Sequence, residues 1–600
     1  MTADPAFLGV AQSLTGRCWR GPTATEARLA EAIAGRARLP MPVALVLAAR
    51  GIAPEDAPAH LAPALRDLLP DPRGLRDMEA AAARLVAALD RAEPIAIFAD
   101  YDVDGGASAA LILHWLRALG RGATLYVPDR IDEGYGPNVP AMAALARDHR
   151  LIVCVDCGTL SHEPLAAAAA AGADVVVLDH HLGGAELPPA HAVVNPNRAD
   201  ESGALGHLCA AGVVFLALVE ANRQLRAQGR AVPDLLGLLD LVALATVADV
   251  APLVGVNRAF VRQGLTVMAR RARPGLVALA DGAGLAAAPG VHALGFVLGP
   301  RINAGGRVGR ADLGARLLAT DDPAEAARLA AALERLNAER REIEAEVRAA
   351  ALAEAEARGP GPLAWAAGEG WHAGVVGIVA ARLKEATGRP AVVIGLEGET
   401  AKGSARSVPG LDLGGAIQRL AEEGLIERGG GHRMAAGLTL ARAQVGPAMA
   451  RLAELVAAAG APTEAATLRI EGNIEPAALT LELAQAIEAA GPFGAGAPAP
   501  VFALADQVVS ATREIGTGHL GIVFGHGARR VEGIAFGARD TPLGQALRAG
   551  AAGRWHVAGR IETSEWNGRT RLRLRIEDAA PARQTGPDRK IALASPGGFV

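Results

Sequence analysis

The stretch Pro94–Ser108, PIAIFADYDVDGGAS, limits the folds open to this chain more than any other. The apolar run from Ile95 to Ala99 gives way at once to Asp100, Asp102 and Asp104, with Gly105 and Gly106 close behind. A short apolar run bounded by turn residues reads as a buried strand. The acids therefore sit where that strand runs out. Like charges so close repel unless a cation holds them. The triplet reads as a metal site whose remaining ligands must come from elsewhere in the chain.

Downstream of Pro94 the pattern alternates. Apolar runs at Thr124–Val127, Leu151–Val155 and Val175–Leu178 are separated by helical stretches at Ala107–Leu119, Pro140–Arg147 and Pro164–Ala171. Such alternation predicts βαβ units and a parallel sheet, and open parallel sheets bind ligands at the carboxyl ends of their strands. Asp156 in VCVDCG and Asp179-His180-His181 in VVVLDHH stand at such ends, and Asp249 closes the apolar run Leu238–Val247. Each acid alone reads more readily as a helix cap or turn residue. Together they form a constellation that capping does not explain.

Two other metal readings fail. Asp100-x-Asp102-x-Asp104-Gly105 opens like an EF-hand loop, but the twelfth position is Leu111 rather than a bidentate glutamate. No HExxH zinc motif is present, and none of the lysines follows a glycine as a phosphate-binding loop requires. Carboxylates with imidazoles, and no cysteine, favour Mn²⁺ or Mg²⁺. A carboxylate-rich pair of such ions about 3.5–4 Å apart is the usual device for hydrolysing phosphodiesters.

Composition adds bounds. The 600 residues accommodate two to four domains, and 51% hydrophobic with 21% charged residues is a globular balance. A net charge of -4 neither announces nor excludes a nucleic-acid partner. Cys18, Cys154, Cys157 and Cys209 are too scattered for a disulfide framework, which fits a reducing cytosol. Cys154-x-x-Cys157 lies inside an apolar run and reads as structural. The start MTADPAF lacks the features of a secretory leader, and no apolar run could span a bilayer. A soluble, cytoplasmic monomer without membrane contact is expected.

The chain divides as follows. Residues 1–75 read as a helical segment without legible chemistry, and 76–320 as the catalytic domain. Within the latter, Gly299–Arg310 reads as a glycine-rich loop carrying Arg301, Asn303 and Arg307. A long charged helix, 321–358, would span roughly 50 Å at the α-helical rise. A smaller α/β domain, 359–460, carries Ser404-Ala405-Arg406-Ser407 and the run Gly429-Gly430-Gly431-His432. Residues 461–579 are β-rich. Their last two strands join at Asn567-Gly568, a strong hairpin signal. On the return strand Arg569, Arg571, Arg573 and Arg575 alternate with Thr570, Leu572, Leu574 and Ile576 and share one face. With Trp566 nearby for stacking, that face suits single-stranded nucleic acid. Residues 580–600 read as a disordered tail.

DYDVDG, VDCG, DHH and the Asp249 segment resemble the motifs of the DHH phosphoesterase superfamily. GPRINAGGR, GWHAGVVGIVAARL, SARS and GGGHRMAAG resemble its RecJ branch with the associated DHHA1 domain. GPFGAGAPAPVF followed by GHLGIVF resembles the RecJ OB-domain. The likeness runs from about residue 75 to 578. Gly106 stands where the family often has alanine, and Ala497 departs from the usual GNP; neither is a proposed ligand.

The resemblance implies an α/β fold: a parallel-sheet DHH domain, a smaller DHHA1 domain and a C-terminal OB-fold barrel. It implies a 5′→3′ exonuclease specific for single-stranded DNA in recombination and repair. By motif, Asp100, Asp102 and Asp156 hold one Mn²⁺ or Mg²⁺. Asp104, Asp156, His180 and Asp249 hold the other, and His181 faces the scissile phosphate. Arg130, Arg301, Asn303, Arg307, Ser404, Arg406, Gly430 and His432 are expected on the DNA, together with the four barrel arginines. Single-strand-binding protein and recombination or helicase partners are implied by the same likeness. Two alternatives remain at this stage: a DHH enzyme for short oligonucleotides or cyclic dinucleotides, and a scaffold without catalysis.

Overall fold

The computed structural model describes residues 5–129, 133–285, 288–460, 466–549, 553–566 and 569–582, the side chains at 528, 564–566 and 569 excepted. It resolves into two compact units. One comprises residues 64–463 with 494–497, and the other residues 1–63, 464–493 and 498–600.

The first unit is built on a parallel five-stranded sheet. Its order is Thr124–Tyr126, Ile95–Ala99, Leu151–Val155, Asp174–Leu178 and Ala192–Val194. The strands Ile95–Ala99 and Leu151–Val155 are buried along their whole length, as a sheet covered by helices on both faces demands. The chain runs from Ile95–Ala99 outward to one neighbour, then returns to place Leu151–Val155 on the other side. Winding thus reverses between those two strands, and a crevice opens beyond their carboxyl ends. The fifth strand, Ala192–Val194, is too short to stand out in the sequence.

The stretch Gly299–Val308 is a helix, preceded by a π-helical turn at Leu294–Leu298. This corrects the expectation of a glycine-rich loop. Its glycines serve close packing: a Cβ on Gly306 would stand 2.9 Å from the Tyr101 ring, and one on Gly305 3.0 Å from the Arg310 carbonyl. The long helix Pro323–Ala357 follows, capped by Asp322 through the Ala324 N–H at 2.9 Å.

The second part of this unit is a mixed sheet ordered Arg428–His432, Ala435–Ala441, Thr400–Arg406, Ala391–Glu397 and Ala364–Glu369. The helix Ala373–Thr387 lies against it. The triple-glycine run is therefore an edge strand, paired with Ala435–Ala441.

The other unit is a barrel. Phe502–Ile515 pairs with His519–Phe524, which pairs with Val531–Ala535. Arg569–Pro581 and Arg554–Trp566 follow, and the last returns to Phe502–Ile515 to close the ring. Residues before Pro63 fold with it, rather than standing as a separate segment to residue 75. Ile33, Val43, Val46 and Leu47 from the helices Ala24–Ala37 and Met41–Ala48 share one apolar cluster with Phe502, Leu520 and Val557. Cys18–Arg20 also adds a parallel strand to Thr467–Arg469. Ala580 and Pro581, expected in the tail, close the last strand instead, with Ala580 buried. The hairpin tip Asn567-Gly568 and residues 583–600 lie outside the described residues. Among the described residues no helix is long and apolar enough to cross a membrane.

Candidate metal centre and nucleic-acid cleft

The acids expected to bind metal gather where the winding of the parallel sheet reverses. Asp102 caps the helix Val103–Ala118: its Oδ1 accepts the N–H groups of Asp104 at 2.8 Å and Gly105 at 3.2 Å. The tight turn needs glycine, because a Cβ on Gly105 would stand 2.4 Å from the Asp100 carbonyl oxygen. Asp104 is buried, and its two oxygens accept the N–H groups of Ala210 at 2.6 Å and Ala211 at 2.8 Å. These open the helix Ala210–Ala227, whose positive end suits a carboxylate.

Asp156 follows its strand in the left-handed region, φ 61°, a strained backbone of the sort that persists where surrounding contacts enforce it. Its N–H donates to the Leu178 carbonyl at 3.0 Å, tying it to the neighbouring strand. Its Oδ1 is buried and accepts no hydrogen bond among the described residues. His180 Nε2 stands 3.2 Å from that oxygen and 3.7 Å from Asp104 Oδ2, while its Nδ1 stands 3.8 Å from Asp249 Oδ2. Burial, with Asp104 and Asp102 adding repulsion, pushes Asp249 up to about 8. Burial likewise raises Asp104 and Asp156. A set of carboxylates that resists ionisation until a cation arrives is the donor chemistry a hard divalent ion requires.

The donor atoms fall into three groupings, each within 4.8 Å: Asp100, Asp102 and Asp156; Asp104, His180 and Asp249; and Asp156, His180 and His181. Asp156 belongs to two of them.

Behind these donors lies a second layer, in which the sequence pointed to Asp179 but not to Thr159, Asn195, Asn197 or Tyr135. Asp179 accepts five hydrogen bonds: from Thr159 N at 3.2 Å, Thr159 Oγ1 at 2.6 Å, His180 N at 2.7 Å, His181 N at 3.2 Å and His181 Nδ1 at 2.8 Å. Burial alone would lower His181, but the Asp179 hydrogen bond and charge override it and raise the imidazole to about 9. Asn195 donates to the His181 carbonyl at 2.8 Å and Asn197 to that of His180 at 2.5 Å. Both follow the short fifth strand, so NPNR at 195–198 was their only sequence signal. Tyr135 donates to the Asp156 carbonyl at 3.0 Å, and its hydroxyl lies 3.1 Å from His181 Nδ1. Cys154 and Cys157 are buried with thiols pushed up by that burial, in keeping with a structural role.

A cleft of about 970 Å³ lies between the helix Ala373–Thr387 and the sheet beside it, and Arg307, Ser404, Arg406 and Gly430 line it. Arg406 donates to Ser404 Oγ at 2.9 Å. Gly377 makes room for this pair: a Cβ there would stand 3.1 Å from both the Arg406 guanidinium and Ser404 Oγ. Arg307 donates to the Gly374 carbonyl at 3.0 Å.

Other expected DNA contacts are placed differently. Arg301 is bound to Glu334 of the long helix at 2.5 Å and to the Val297 carbonyl at 2.8 Å. Asn303 accepts the Val103 N–H at 3.0 Å, beneath the aspartate triplet. His432 ends the exposed edge strand. Arg130 lies outside the described residues, as do the side chains of Trp566 and Arg569. In the barrel, Arg571 is exposed. Arg573 and Arg575 share Glu562 across the ladder at 3.7 and 3.5 Å. They also overhang the half-exposed Phe536 ring at 5.9 and 5.1 Å.

Comparison with known proteins finds three matching regions. Residues 94–246 match the DHH family, N-terminal domain; 361–459 the DHHA1 domain; and 470–578 the RecJ OB domain. The single-stranded-DNA-specific exonuclease RecJ of Escherichia coli is 36% identical over 88% of this chain and 97% of its own length. That of Dickeya dadantii is 38% identical over 81% of this chain and 87% of its own. The crystal structure of Thermus thermophilus RecJ in complex with Mn²⁺ superposes with a TM-score of 0.79 at 29% identity, covering 95% of this chain and 80% of that one. The chain belongs to the RecJ family of single-stranded-DNA-specific exonucleases.

Proposed function

We propose that this chain digests single-stranded DNA from the 5′ end, releasing mononucleotides, with two divalent cations at the strand ends. The observation that carries the reading is that Asp100, Asp102 and Asp156 form one grouping and Asp104, His180 and Asp249 another, with Asp156 Oδ1 only 3.2 Å from His180 Nε2. Asp100, Asp102 and Asp156 would hold one cation, and Asp104, Asp156, His180 and Asp249 the other. When bound, Mn²⁺ or Mg²⁺ activates the attacking water and neutralises charge gathering on the phosphate.

The chain's own groups do the rest. His181, raised to about 9 and braced by Asp179, can donate from its imidazole to a phosphate oxygen. Arg307, Arg406 and Ser404 offer the cleft guanidinium forks and a hydroxyl for the strand's phosphates. Arg130, Arg301, Gly430 and His432 complete the proposed path, while Asn303 supports the aspartate turn from behind. The barrel arginines would hold another part of the strand. We place the enzyme in the cytoplasm as a monomer serving recombination and repair, alongside single-strand-binding protein and helicases.

End-labelled single- and double-stranded DNA, incubated with Mn²⁺ or Mg²⁺, tests the proposal. The single strand should be shortened from its 5′ end and the duplex spared. Asp156→Ala should abolish hydrolysis while strand binding survives. Equal cleavage of duplex, or wild-type protein inert with both metals, would overturn it.

A further inference from the structure

Phe296 is 72% exposed on the π-helical turn Leu294–Leu298. Single exposed apolar residues are commonplace, but three observations set this one apart. First, the turn is anchored beside the metal centre. A Cβ on Gly295 would stand 3.3 Å from Val247 Cγ1, and one on Gly299 would stand 3.4 Å from Ala248 Cβ. The next residue after those two is Asp249. Second, Phe296 lines the cleft that holds Arg307, Ser404 and Arg406. Of the cleft's charged residues, Arg307, Arg382, Lys402, Arg406 and Arg428 are basic and only Glu385 is acidic. Third, the ring is already half of a stack: His292 lies against it with centroids 4.8 Å apart and planes 23° from parallel.

The turn that carries the ring therefore packs against the segment that ends in Asp249, and the ring itself lines a basic cleft. π-Helical turns within helices often mark functional positions, since the extra residue displaces a side chain from the regular helical face. The helix that continues from this turn, Gly299–Val308, reaches the aspartate triplet through Asn303 and the cleft helix through Arg307. The platform is thus fixed to both sites by one rigid element.

We propose that Phe296 is a stacking platform for an unpaired nucleobase of the substrate strand, whose phosphates run through the basic cleft. Aromatic rings bind bases regardless of sequence, because every base has a π-face. A base held inside a duplex cannot offer that face, so the platform contributes to the choice of single strands. This inference rests on the exonuclease reading and adds a positioning residue to it.

The test uses full-length protein and single strands in which one abasic residue is walked along the first six or so nucleotides. KM and kcat are measured with Mn²⁺, and strand affinity by fluorescence anisotropy without metal. In the wild type, an abasic residue at one position should raise KM and weaken binding by roughly five- to tenfold. Phe296→Ala should show that same loss on the intact strand, no further loss with the abasic one, and an unchanged kcat. Phe296→Tyr should restore wild-type values. The proposal is overturned if Phe296→Ala leaves binding unchanged, or if the abasic penalty persists undiminished in that variant. The anisotropy arm reads the platform even if no strand is hydrolysed, so failure of the exonuclease reading would be separately visible. Mn²⁺ binding unaltered in both variants confirms that the fold is intact.

Discussion

The side-chain oxygen of Asn303 accepts the Val103 N–H at 3.0 Å, and Val103 lies between Asp102 and Asp104. A residue expected on the DNA thus buttresses the turn that presents the aspartates. Asn303→Ala leaves a buried donor unmet, at a cost of about 1–3 kcal/mol. Mn²⁺ affinity, followed by calorimetry, should fall roughly tenfold, since 1.4 kcal/mol is tenfold in binding. Strand affinity in metal-free buffer should hold. Loss of strand affinity with Mn²⁺ binding intact would return Asn303 to the DNA.

Asp179 is the acceptor on which the two histidines and Thr159 converge. Asp179→Ala strands several buried donors at about 1–3 kcal/mol each. It should lower Tm by several degrees. Asp179→Asn keeps the shape but removes the charge beside His181. Its kcat should fall at least tenfold while KM changes little, which steady-state kinetics on a labelled single strand will read.

The barrel arginines make a prediction about salt. Removing one arginine–phosphate pairing with a single strand lowers the slope of log affinity against log salt by roughly 0.7. Replacing Arg571, Arg573 and Arg575 together by alanine should therefore flatten that slope by about 2. Arg573 and Arg575 already share Glu562. Glu562→Gln should accordingly strengthen strand binding at low salt. An unchanged slope in the triple variant would make this face an ordinary solvated surface.

His114 provides a pH dependence remote from the metal ligands. Burial first, then the charge of Arg273 with Nη1 2.7 Å from His114 Nε2, holds this imidazole below its ordinary value. The unfolded chain therefore binds the proton more readily than the folded one. The stability held by neutral His114 is complete above the ordinary histidine range and is lost as pH falls through it. Tm of the wild type should drop more steeply than that of His114→Gln between pH 7 and pH 5. Parallel Tm curves would contradict the assignment.

The core of the catalytic sheet was legible because its signals are short-range. Ile95–Ala99, Leu151–Val155 and the helix from Pro323 stand close to where their apolar runs, prolines and caps place them. The clustering of the acids was legible for a different reason: acids at strand ends are brought together by topology alone. What escaped was set by tertiary packing. Glycines at 305 and 306 look like a loop in one dimension, yet they allow helix Gly299–Val308 to approach Tyr101 and Leu333. The strand Ala192–Val194 is too short for any periodicity, so Asn195 and Asn197 went unseen behind the histidines. The union of the N-terminal helices with the barrel depends on residues more than 400 positions apart, and only the shared apolar cluster reveals it.

Everything proposed for this site depends on two cations held with Asp156 between them, and metal stoichiometry is the quantity that decides it. Mn²⁺ titrated into metal-free protein by isothermal calorimetry should saturate at two equivalents per chain in the wild type. Asp104→Ala should retain one, held by Asp100, Asp102 and Asp156. A single equivalent in the wild type, or loss of both or neither in Asp104→Ala, would be incompatible with a shared Asp156.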